Sequence, residues 1–132
     1  MLILPPEFSQ RIVFISYLML VSMSVAFLYE LYSCCCCAFS VFLSSQMYWR
    51  HPVKGLRRNL DIFISISSLA YHVFLSFWSS AQGLYLLFVF MGVGCYLSAR
   101  QTKSKDTSSL LHCLLHFFGN VSNVVLYTTY RR

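Results

Sequence analysis

The sequence predicts an all-α, multi-pass transmembrane helical bundle of about five spans, with four as the alternative, and three observations lead there. The first is composition: 58% of the 132 residues are hydrophobic and 11% are charged, far from the balance of ordinary soluble domains. A water-soluble globule of this size buries only about two thirds of its unfolded surface, so the excess Phe, Leu, Val and Tyr would stay in water. The second is the placement of charge. Ile12 to Met47 holds no Lys or Arg and one acid, Glu30; Ile62 to Ala99 and Leu110 to Tyr130 hold no charge at all. Each gap reaches the roughly 20 residues that a helix needs to cross hydrocarbon. The third is that the cations gather in two short segments, "WRHPVKGLRR" and "ARQTKSK".

The elements follow in order as one membrane domain over residues 1–132. Pro5, Pro6, Glu7 and Arg11 precede an apolar stretch much longer than the 7 to 15 residues of a signal-peptide core, so the first segment is expected to stay on the protein. Residues 12–47 as one straight helix would be about 54 Å long at 1.5 Å per residue, well beyond a core of about 30 Å. A turn at "FLYELYS" divides it, with Tyr29 and Tyr32 beside Glu30 at headgroup level, giving spans at 12–29 and 31–48. A single tilted span here is the four-span alternative. "SSAQG", Ser79 to Gly83, has the small polar residues of a tight connection and separates spans 60–79 and 83–99. The last span covers 109–130.

The positive-inside rule puts the loops carrying Arg50, Lys54, Arg57 and Arg58 and carrying Arg100, Lys103 and Lys105 on the cytoplasmic side. Two spans separate them, so both can lie there, and Arg11 joins them. Arg131 and Arg132 then fall on the opposite side. Loop topology and attraction to anionic headgroups account for the net charge of +6 without nucleic acid. Membrane lipids are the expected partners, together with a second copy of the chain or a partner helix, because a bundle this small has little protein with which to enclose polar groups.

Polar groups do occur inside the spans, at helical spacing. Asp61, Ser65, Ser68, His72, Ser76 and Ser79 recur at intervals of three or four and form one stripe. Ser109, His112, His116, Asn120, Asn123, Tyr127 and Tyr130 form another, and Glu30, Ser33, Cys37, Ser40 and Ser44 a weaker third. Gly92, Gly94 and Ser98 offer close packing on the fourth span. Unpaired polar groups in hydrocarbon cost several kcal/mol, so the stripes should face protein. Interhelical hydrogen bonds worth about 1 kcal/mol each explain the serines. Ionisable groups in spans point to function by default, and three of the four histidines lie there. His112 and His116 have the i, i+4 spacing that lets two imidazoles hold one metal ion. His72 is a third nitrogen at similar depth, about 16 Å from the basic loops against about 12 Å for His116, counting 1.5 Å per residue.

"SSLAYH", Ser67 to His72, and "HCLLHFFGN", His112 to Asn120, resemble the two histidine motifs of the superfamily of alkaline ceramidases, adiponectin and progestin receptors and hemolysin III proteins. The resemblance implies zinc held by His72, His112 and His116, amide hydrolysis in a lipid, and Ser68 orienting a water or an oxyanion. A zinc-bound water can be acidified to a pKa near 7 and attack a carbonyl. The family's acidic residue on the span after the early histidine has no counterpart here, and Asp61, two turns from Ser68 on the same face, is the carboxylate that would replace it. The family has seven spans, and the likeness covers two short segments.

Two other readings use the same residues. His72 with His112 or His116 could ligate a b-type haem in a small anchor subunit, or the stripes could serve a non-catalytic assembly or accessory protein. The remaining motifs have plain explanations. "CCCC", Cys34 to Cys37, points around a whole helix circumference and cannot converge on one ion. "GVGCY" lacks the pattern of a potassium filter, and "NVS" at Asn120 lies within a span. His51, beside Trp49 and Pro52, reads as a headgroup-level residue.

Overall fold

The computed structural model describes residues 2–131, so Arg132 lies outside the described residues. It is all helical apart from turns: α1 (Pro6–Ile15) and α2 (Met19–Leu28) joined by one tight turn of 3₁₀ helix (Ser16–Leu18), then α3 (Tyr32–Trp49), α4 (Leu56–Ser76), α5 (Gln82–Gln101) and α6 (Lys105–Thr129). Four helical segments among the described residues are long and apolar enough to cross a membrane: Pro6–Leu28, Leu56–Ser76, Gln82–Gln101 and Lys105–Thr129. At 18 residues, α3 is about 27 Å long at 1.5 Å per residue.

The helices run past the charge gaps because charged side chains sit comfortably in end turns. Pro6 opens α1 at a position where its missing N–H is no loss. α4 starts at Leu56, so Arg57 and Arg58 belong to its first turn. α6 starts at Lys105, with the Ser104 hydroxyl capping the Thr107 N–H at 3.3 Å and Asp106 at the positive end of the helix. At its other end α4 stops at Ser76, so Ser79 closes a turn instead of ending a helical stripe.

The division of the first long stretch falls where Tyr29 and Tyr32 flank Glu30. α2 ends in a paired-carbonyl cap: the Leu31 N–H bonds the Ala26 carbonyl at 2.8 Å and the Glu30 N–H bonds the Phe27 carbonyl at 3.0 Å. Glu30 occupies the left-handed position, at φ 59°, that glycine usually fills in this motif. Leu31 and Ala26 then meet in the same apolar cluster, the contact that commonly accompanies such a cap.

The chain folds back and forth. α6 packs along α5 on one side and along α1 and α2 on the other; α3 lies between the first rod and α4, and α4 closes on α5 and α6 only lightly. One end carries the N-terminus and both basic loops: the Ile3 N–H bonds the Pro52 carbonyl at 2.7 Å and Lys105 reaches the Ile3 carbonyl at 3.4 Å. The other end carries Arg131, whose N–H bonds the Trp78 carbonyl at 2.9 Å. Towards that end Ala26, Cys34, Leu75, Tyr85, Leu126 and Tyr127 form the apolar core.

Small residues permit the close approaches. Ser9, Ile12, Ser16, Met19, Ser22 and Ala26 are the buried face of the first rod, and Cys34 and Ala38 are fully buried on α3. Gly92 is buried, with Leu115 and Phe118 lying where its side chain would be. Gly94 and Ser98 are exposed: at 100° per residue, Gly94 stands about 200° around the helix from Gly92. The α5 packing face is therefore narrower than the three small residues suggest.

Candidate functional site

The stripes of α4 and α6 turn inward, and most of their members are tied to another element; the weaker third stripe does not, because Glu30, Ser33 and Ser40 are exposed and only Ser44 of its members is buried. Asp61 is buried on α4, and its Oδ1 accepts the Ser44 hydroxyl at 3.0 Å and the Ser45 hydroxyl at 3.1 Å, both from α3. On α3, Gln46 donates to Ser16 Oγ and to the Val13 carbonyl at 3.1 Å, fastening α3 beside the 3₁₀ turn, while its own Oε1 accepts Arg50 at 2.9 Å. The Ser22 hydroxyl donates to Asn120 Oδ1, and Asn123 donates to Ser22 at 3.4 Å. At the basic end Arg11 bridges Asp106 at 2.6 Å and Ser109 at 3.2 Å.

His72 is 2% exposed and both of its ring nitrogens are engaged. Nδ1 lies 2.7 Å from the Ser68 carbonyl oxygen, which can only accept, so Nδ1 carries the proton. Nε2 therefore offers a lone pair, and the Tyr127 hydroxyl donates to it at 2.7 Å. Ser68 Oγ stands 3.4 Å from the same Nδ1, and it is seven residues, about 10 Å along the helix, from Asp61.

His112 and His116 are placed differently. Their ring centroids are 5.3 Å apart, and His112 lies 4.7 Å from Trp49 and 6.5 Å from Tyr96, so aromatic rings of α3 and α5 flank it. Both histidines are half-buried, and among the described residues no hydrogen bond reaches either ring. The pair is brought together as the spacing implies.

His72 is not brought to that pair. It faces Tyr127, eleven residues beyond His116, about 16 Å further along α6. The depth count from the basic loops differs partly because it began beyond the helix starts and partly because α4 and α6 are offset along each other. Measured from the helix starts at Leu56 and Lys105, His72 is 16 residues in and His116 is 11, about 24 and 16 Å. The Ser79 to Thr129 contact at 2.6 Å then sets the far ends in register. Among the described residues no group of three or more His, Cys, Asp or Glu side chains could hold a metal ion.

The cysteine run spreads around α3: Cys34 is buried, Cys35 and Cys37 are half-buried, Cys36 is exposed and all are free thiols. Trp49, Tyr96 and Gln46 are the site residues that sequence patterning passed over. The recurrence of Ser9, Ser16, Ser22 and Ala26 on one face of the first rod was the readable signal for its buried side. No family model, curated protein or solved structure matches the chain.

Proposed function

We propose that this chain is an integral membrane protein whose helices cross five times, α3 included, with the basic end cytoplasmic, and that it acts as a non-catalytic assembly or accessory component. The observation that carries the reading is the His72 to Tyr127 bond. A zinc ion at His72 needs the imidazole lone pair that already accepts the Tyr127 hydroxyl, and it needs His112 and His116 within about 2.0–2.1 Å of the same point. The apolar outer surface supports the membrane placement: Phe14, Phe63, Phe90 and Leu97 are all more than half exposed.

A second reading rests on His112 and His116. Their free nitrogens at i, i+4 spacing suit a two-nitrogen metal site completed by water, lipid or a second chain, and such a centre would keep hydrolysis of a lipid amide open to it. Element analysis of detergent-purified protein, wild type beside His72→Ala, His112→Ala and His116→Ala, separates the two. The assembly reading expects no stoichiometric zinc. Zinc lost in His112→Ala and His116→Ala but kept in His72→Ala favours the two-histidine site. About one zinc per chain lost in all three variants overturns the assembly reading and calls for a lipid amidase assay. Topology is tested by epitope tags at the N-terminus and the C-terminus, which five crossings put on opposite faces and four put on the same face.

A further inference from the structure

We infer that the groove between α3 and α4 at the basic end is a binding site for one anionic phospholipid, its headgroup on Arg57 and part of one acyl chain lying below. The inference rests on the membrane placement proposed above. The groove has a volume of about 190 Å³, opens on the outer surface of the bundle, and is walled mainly by Leu43 and Met47 of α3 and Leu60 and Ile64 of α4, with Ser40 and Ser44 of α3 also lining it. Pockets for drug-sized ligands are about 300–1,000 Å³, so this one takes a segment of a chain and not a whole compact ligand. Leu43, Met47 and Leu60 are each between two fifths and just over half exposed, so an acyl chain already in the surrounding lipid can lie against them without crossing a polar barrier.

Charge selects the headgroup. Arg57 lines the groove and is exposed, and no acidic side chain stands in the first turn of α4. Asp61, one turn further on, is 8% exposed and accepts the hydroxyls of Ser44 and Ser45; Ser44 lines the groove, so the carboxylate stands behind that hydroxyl while Arg57 is the charged side chain of the lining. The ion pair found among the described residues is Arg11 with Asp106, on other helices. Arg50, Lys54 and Arg58 share the adjoining loop and helix start, so the end of the bundle at which Arg57 lines the groove is positive while the groove wall is mostly apolar. A phosphodiester carrying net negative charge above a hydrocarbon tail complements both parts, and a guanidinium can bind two phosphate oxygens at once.

The test is native mass spectrometry of the full chain in detergent, titrated with phosphatidylserine or phosphatidylcholine. Wild type should retain phosphatidylserine preferentially. Arg57→Gln should reduce that retention about fivefold, from the roughly 1 kcal/mol that one basic residue contributes near an anionic surface, while Lys103→Gln, a basic residue away from the groove, should leave it unchanged. Leu43→Trp, which fills the groove, should lower retention of the same lipid with Arg57 intact. Equal retention of the two lipids, equal losses in Arg57→Gln and Lys103→Gln, or full displacement of the lipid by inorganic phosphate would each overturn the proposal. Carbonate extraction of wild-type membranes keeps the underlying reading separate. A chain released by carbonate refutes the membrane placement and this site with it, whereas a resistant chain without phosphatidylserine preference refutes the lipid site alone.

Discussion

Removing the Tyr127 hydroxyl should weaken the bundle through His72, and the size of the loss can be worked from the structure. The two side chains are 1% and 2% exposed, and the hydroxyl donates to Nε2 at 2.7 Å. Phenylalanine keeps the ring and its packing, so Tyr127→Phe isolates the bond. Interhelical hydrogen bonds in membrane proteins contribute about 0.6 kcal/mol on average and up to about 1.7, and a buried acceptor left without a donor costs about 1–3 kcal/mol. The expected loss is therefore about 1–2 kcal/mol.

A double-mutant cycle measures the coupling directly. Tyr127→Phe, His72→Phe and the double variant are unfolded in detergent with increasing dodecyl sulfate and followed by helical circular dichroism. If the bond holds α4 to α6, the double variant loses less than the sum of the singles, by about 1 kcal/mol. Independent sites add to within about 0.3–0.5 kcal/mol, so additivity within that margin would refute the assignment of His72 to Tyr127 and reopen His72 as a metal ligand.

Three further outcomes are expected. At position 30, glycine should stabilise the protein relative to alanine by about 1 kcal/mol, because the left-handed φ of 59° penalises a Cβ; equal stabilities in the same unfolding assay would mean that the cap forms differently. Gly92→Leu should destabilise by about 1–3 kcal/mol through overpacking against Leu115 and Phe118, whereas Gly94→Leu, on the open face, should change little; similar losses would contradict the packing of α5 on α6. Ser44→Ala and Ser45→Ala should each be mild, since either leaves one hydroxyl on Asp61, but the pair together should cost about 1–3 kcal/mol, and simple additivity would show that the two donors are not shared by one carboxylate.

Membrane-length helices and inward stripes were legible because both are periodic signals: lipid demands long uncharged runs, and polar groups at three- and four-residue intervals share a face. Register between helices was not legible. The sequence offers no count of how far α4 slides along α6, and that slide decides whether His72 meets His116 or Tyr127. The helix starts misled for a related reason, since Arg57 and Lys105 read as loop charges but belong to first turns. The Glu30 turn was found from its flanking tyrosines, while its left-handed geometry was hidden because glutamate stands where glycine would have announced it. Gly94 and Ser98 were grouped with Gly92 by residue type, although the helical repeat separates their faces.

The stripe of α6 also explains why a bundle made mostly of apolar side chains has a single register. In lipid, hydrocarbon packing changes little when one smooth helix slips a turn past another, because tails are as apolar as leucine. Directional bonds remove that freedom. Arg11 meets Ser109, Ser22 meets Asn120, and His72 meets Tyr127, so α6 is fixed to α1, α2 and α4 at three successive levels, and a slip of one turn would leave every pair unmade, at about 1–2 kcal/mol for each buried one. Between the first level and the second, the stripe continues through His112 and His116, whose rings bond no other helix among the described residues. Two ionisable groups kept at membrane depth without that fastening duty are poorly explained by register alone. Under the second reading proposed above they are the positions on α6 that would hold a metal ion, so His112→Ala and His116→Ala are the variants in which zinc loss would separate that reading from assembly alone.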